Sequence, residues 1–124
     1  IGMIWNGEVY MANKEGGNLA YIYPKEGAIF WVDSFAIPSH AEHTEAALKF
    51  INYMMRPEVA KECVEYVGYA TPNLPGKALL PDTLKNSKVI FPDKATVDKG
   101  QFQTDVGDAI GIYEKYWTKL KTGH

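Results

Sequence analysis

Gly27-Ala28-Ile29-Phe30-Trp31-Val32-Asp33-Ser34 decides the fold class. Its apolar and aromatic residues run almost unbroken and stop at a carboxylate, the pattern of a buried strand. Side chains two apart on a strand share a face, so Trp31 and Asp33 are expected to project together. An indole beside an unpaired acid makes a poor core, because a buried carboxylate without a partner is costly. The same pair suits an organic cation. The ring covers its aliphatic part and attracts its charge, and the acid neutralises it. The competing reading keeps Trp31 in the core and leaves Asp33 to cap a turn.

Working outward, Pro24-Lys25-Glu26-Gly27 is a turn by composition, and residues 19–23 before it alternate as a strand. Gly16-Gly17 closes a helix over residues 7–14, with Asn6 as its cap and Glu8 favoured in its first turn. Met3-Ile4-Trp5 reads as a short strand. Downstream, Pro38 stops the extended run, and Thr44 is the expected cap of a helix whose Ala47, Phe50, Ile51 and Met54 fall on one face. Arg56-Pro57 breaks that pattern, and the proline suits the first position of a second helix. Ala60, Cys63, Val64 and Val67 form its stripe, and Gly68 is its left-handed stop. These two helices are expected to pack as a unit.

Residues 69–73 read as an extended loop and residues 74–81 as a Pro/Gly-rich linker. A short helix is expected from Pro81-Asp82, a brief extended run at residues 89–92, and a helical turn over residues 93–97. The last helix carries Val106, Ile110, Tyr113, Trp117 and Leu120 as its apolar stripe, with Asp105 near its start and Lys115, Lys119 and Lys121 towards its end. Strands alternating with helices define an α/β class. The strands are few, and a parallel sheet needs cover on both faces. The chain is therefore expected to be incomplete as a folding unit.

Composition sets further bounds. At 124 residues with 46% hydrophobic content, there is material for one modest core. A net charge of −2 offers no basic excess, so no nucleic-acid partner is expected. Aromatics reach 13%, a richness shared by ligand clefts, interfaces and cores. Cys63 is the single cysteine, so no intrachain disulfide can form, and the compartment stays open. No apolar run is long enough to cross a bilayer, and no signal peptide is visible. The chain opens inside an apolar segment, as a mature protein cut in its middle would.

Catalytic chemistry finds little support. His40 and His43 lack the further ligands a zinc site needs, and read as loop histidines. Cys63 lies in a helix stripe and reads as a small core residue. Glu42 and Glu45 read as surface charge around a helix start. No phosphate loop, nucleophile elbow or dinucleotide fingerprint is present, so no metal, cofactor or catalytic residue is expected. What remains is a set of aromatics at element ends: Trp5, Trp31 beside Asp33, and Tyr69. Ligands of α/β proteins are met at such ends and in the loops there.

Several segments, in this order and spacing, carry a resemblance: Met3-Ile4-Trp5-Asn6-Gly7, Pro24-Lys25-Glu26-Gly27, Phe30-Trp31-Val32-Asp33-Ser34, the run from Asn52 to Ala60, Val67-Gly68-Tyr69-Ala70-Thr71-Pro72-Asn73, and Gln103-Thr104-Asp105-Val106-Gly107. Together they resemble the C-terminal part of the periplasmic spermidine/putrescine-binding proteins of bacterial polyamine ABC transporters. The resemblance spans essentially the whole chain. It implies a fragment of a two-lobed type II periplasmic-binding-protein fold that contributes to both lobes. Residues 1–31 and 78–124 would belong to one lobe, and residues 32–77 would cross into the other.

It also implies a polyamine held in the cleft between lobes and presented to a membrane permease, in the periplasm or cell envelope. Residue by residue, Trp5 resembles an aromatic wall of the cleft, and Trp31 the plate under the methylene chain. Asp33 resembles the acid that pairs with an amine, Tyr69 an aromatic or hydrogen-bonding contact, and Gln103 a polar contact near the ligand's end. Trp31 and Asp33 flanking an apolar residue look more like the spermidine-preferring branch than the putrescine-preferring one. Family members are much longer. The expected partners therefore include the missing N-terminal part, or a swapped copy of this chain. The competing readings are a protein of the same fold for another small amine, an α/β hydrolase using His40 or His43 with Asp33, and a small interaction module.

Overall fold

The computed structural model describes residues 1–123. Helix α1 (Asn6–Lys14) is followed by strand β1 (Ile29–Phe30), then α2 (Thr44–Met54) and α3 (Pro57–Val67). The short helices α4 (Leu74–Ala78), α5 (Asp82–Lys85) and α6 (Lys94–Lys99) lead to strand β2 (Gln101–Phe102). A 3₁₀ turn over Gly107–Ala109 runs into α7 (Ile110–Thr122). The strands pair in parallel, Ile29 opposite Gln101 and Phe30 opposite Phe102.

The core is small and helical. Val64 of α3 packs with Leu80 and Ile90, and Tyr10, Leu84 and Phe91 close around them. Val64 is 1% exposed and Ile90 2%, so both are fully removed from water. Two side chains of α1 reach the end of α3: the Tyr10 hydroxyl and Lys14 Nζ both donate to the Glu65 carbonyl, at 2.9 and 3.0 Å. α3 ends as its sequence requires. Gly68 takes φ 71°, and its N–H returns to the Val64 carbonyl at 2.9 Å. A Cβ there would also collide with the Tyr10 ring. α2 and α3 pack against each other across the Pro57 corner.

Several expectations change. Met3-Ile4-Trp5 and residues 19–23 form no strand, and residues 27–34 contribute only Ile29 and Phe30. A strand needs a ladder partner, and these segments find other bonds. The Asn13 side-chain amide takes both backbone groups of Leu19, each at 2.9 Å, and the Tyr23 hydroxyl donates to the Val89 carbonyl at 2.8 Å. Asn6 caps nothing. Its amide donates to the same Val89 carbonyl at 2.9 Å, and Trp5 takes the capping position. His43, not Thr44, precedes α2, while the Thr44 hydroxyl turns back to the Ala41 carbonyl.

The expected linker at residues 74–81 is partly helical. Asn73 accepts from the Gly76 N–H at 2.8 Å and donates to the Met55 carbonyl at 2.7 Å, which caps α4 and ties it to the end of α2. Residues 89–91 turn instead of extending. The Phe91 N–H bonds the Ser87 carbonyl at 2.8 Å, and the turn drops Ile90 into the core. The apolar stripe of α7 stays exposed along its length, and Cys63 is half-buried at the core's margin.

Candidate functional site

Trp5 occupies the extended position before α1, with φ −75° and ψ 150°. Trp31 follows β1 directly. The two indoles meet edge to face, with centroids 4.0 Å apart and planes at 64°. Asp33 is exposed, and among the described residues it joins no ion pair or hydrogen bond. An exposed acid left unpaired is free to meet a cation.

Tyr69 is aimed by the left-handed Gly68 before it. Its ring lies over the start of α1, where a Cβ on the buried Gly7 would land within it. Its hydroxyl donates to Glu8 Oε1 at 3.4 Å. Its phenol pKa is held above the usual value, first by burial, then by the charge and hydrogen bond of Glu8, and further by Asp33. Asp33 is therefore close enough for its charge to reach the Tyr69 hydroxyl. The Gln103 N–H donates to the Phe30 carbonyl at 2.6 Å, and continuing the parallel register sets Gln103 beside Trp31.

The structure thus brings Trp5 and Trp31 into contact, sets Tyr69 over the start of α1, and runs Gln103 past the end of β1, while Asp33 is linked to Tyr69 only through its charge. Sequence reading missed three residues there. In sequence Glu8 suits only the helix dipole, yet it also accepts from the Tyr69 hydroxyl. Gly7 allows the Tyr69 ring its close approach. Tyr21 is half-buried, its phenol is pushed up by burial, and its charge is felt at Tyr69. Their signal was position: Gly7 and Glu8 follow Trp5 directly, and Tyr21 lies in an aromatic alternation. His40 and His43 precede α2, and no three His, Cys, Asp or Glu side chains cluster as a metal site among the described residues.

The chain belongs to the bacterial extracellular solute-binding proteins, whose family profile matches residues 1–92. Within that class its relatives are polyamine binders by name. It is 51% identical over 123 residues to the spermidine/putrescine-binding periplasmic protein of Salmonella typhimurium, covering 99% of this chain and 35% of that one. It is 32% identical over 127 residues to the putrescine-binding periplasmic protein PotF of Escherichia coli, covering 96% of this chain and 34% of that one. A solved structure described as a putative spermidine/putrescine ABC transporter from Listeria monocytogenes superposes with a TM-score of 0.66 at 32% identity. That match covers 71% of this chain and 28% of the other. The architecture is accordingly part of an α/β binding-protein fold. The chain spans about a third of the length of the curated relatives it matches. Among the described residues no helix is long and apolar enough to cross a membrane.

Proposed function

We propose that the whole protein containing this chain is the periplasmic solute-binding component of an ABC transporter. Its cargo is a polyamine, spermidine in preference to putrescine, held between two lobes and passed unchanged to a membrane permease. Trp5 and Trp31 cover the methylenes and keep water out, which strengthens the ion pair between Asp33 and an ammonium. Tyr69 and Gln103 supply polar contacts along the chain. The observation that carries this reading is the meeting of Trp5 and Trp31 at 4.0 Å, with Asp33, an acid without a cationic partner among the described residues, two positions along the chain from Trp31.

The β1–β2 pair supports placing residues 1–31 and 78–124 in one lobe, with residues 32–77 crossing to the other. The contact between α1 and α3, and the core that Val64 shares with Leu80 and Ile90, then join the two parts across that division. The preference for spermidine is supported by higher identity to a spermidine/putrescine-binding relative than to a putrescine-binding one, 51% against 32%. The test is a thermal-shift panel of spermidine, putrescine, spermine and amino acids on the whole protein. A ligand bound only by the native state at a hundred times its Kd adds about 2.7 kcal/mol of stability and raises the melting temperature. The polyamines should produce this rise, spermidine most strongly. A panel in which no amine shifts the transition removes the proposal.

A further inference from the structure

The α1 N-terminus is the wrong sign for a polyamine. Its unpaired N–H groups and helix dipole place partial positive charge where an ammonium is to be received. Glu8 stands in the first turn of that helix, exposed, with Oε1 accepting from the Tyr69 hydroxyl at 3.4 Å. A phenol has one hydrogen to donate. Once Glu8 takes it, the Tyr69 oxygen can only accept, and an ammonium can only donate.

On the polyamine reading above, we infer that Glu8 is a positioning residue that commits Tyr69 to receiving an ammonium N–H. The same carboxylate offsets the helix N-terminus, and the charges of Glu8 and Asp33 are both felt at the one phenol. Gly7 makes the arrangement possible, since any Cβ there would collide with the Tyr69 ring. A neutral amide at position 8 can donate to the phenol oxygen, which leaves Tyr69 free to donate outward and suits it to a carbonyl or anion.

The experiment uses the whole protein with the substitutions Glu8→Gln and Tyr69→Phe, alone and together. Titration calorimetry with spermidine should show E8Q weakening binding about threefold to tenfold, the worth of one hydrogen bond. The double variant should be weaker than Y69F by clearly less than E8Q is weaker than wild type, because the part of Glu8's effect carried by the hydroxyl is already gone in Y69F. Ultraviolet titration of the phenol, free of ligand and taken as the difference from Y69F, should show Tyr69 ionising at lower pH in E8Q. Burial, with Asp33 and Tyr21 adding to it, remains to hold it partly raised. Unchanged spermidine affinity in E8Q, or losses that simply add in the double variant, overturns the inference while the polyamine reading stands. Wild-type protein that ignores spermidine overturns both. A lowered phenol titration would then still show that the Glu8–Tyr69 bond exists.

Discussion

At the scale of the residue, the proposed site divides its work between Trp31, which covers hydrocarbon, and Asp33, which supplies charge. Their separation of two positions, at most about 7 Å of backbone, keeps both within reach of one ligand. Asp33→Ala in the whole protein should weaken spermidine binding by about 2–5 kcal/mol, the range for removing one partner of a charge pair enclosed by a closed cleft. Calorimetry is the measurement, and an unchanged Kd takes Asp33 out of the site. Gly7→Ala makes a complementary case. Alanine is the better helix former by roughly 0.8–1 kcal/mol, yet its Cβ must push the Tyr69 ring aside. Affinity for spermidine should fall about threefold to tenfold, one contact's worth, with little change in melting temperature. A variant that binds as tightly as wild type places Tyr69 outside the ligand's reach.

At the scale of the element, the segment over residues 19–23 and helix α1 are both pinned to one carbonyl. Val89 O accepts from Asn6 and from the Tyr23 hydroxyl. Burial, with Tyr21 adding to it, pushes the Tyr23 phenol up to about 12. The folded state therefore holds this proton more tightly than the unfolded chain, whose phenols titrate near 10.0. The stabilisation is complete below that value and is lost as pH climbs towards 12. Denaturant unfolding of the whole protein across this window should show stability falling with pH, and falling less steeply in Tyr23→Phe. Equal slopes would mean that the phenol is as solvated folded as unfolded. Gly68→Ala is the second test at this scale. The left-handed φ alone costs about 1–2 kcal/mol, and the collision with Tyr10 adds to it, so the melting temperature should drop. The helices were legible because their punctuation is local: Pro57 and Gly68 bracket α3, and both lie where the structure puts them. Strands were not, since a strand is defined by its partner, and Leu19 is satisfied by the Asn13 amide instead. α4 was hidden by Pro75 and Gly76, although Asn73 before a proline-bearing first turn is a helix start. The aromatic corners of the site could be read from element ends. Glu8 could not, because its partner Tyr69 lies 61 residues away.

At the scale of the whole molecule, surface area is the deciding quantity. A compact monomer of 13.9 kDa exposes about 6,700 Å², whereas this chain exposes 10183 Å². Much of the excess is apolar and contiguous in sequence. Ile112, Tyr113, Tyr116, Trp117 and Leu120 of α7 line an open groove on one helix face, and Ile22, Val32 and Phe35 stand out around β1. A two-stranded sheet cannot cover such surface, and the curated relatives carry about twice as much chain again beyond the matched part. In the proposed whole protein that remaining chain supplies the sheet neighbours and the other cleft wall. The 124 residues expressed alone should then unfold broadly, bind a hydrophobic dye and protect few amides from exchange. Protection should centre on Val64, Leu80 and Ile90, the residues that already share a core. Polyamine should not sharpen the transition, because Trp5, Trp31 and Asp33 form only part of a receptor. A swapped copy would instead show as a cooperative, dye-silent dimer in sedimentation. A compact monomer with a sharp melt and wide protection would mean that the exposed stripe of α7 folds back onto this chain's own strands, and that the missing cover was never needed.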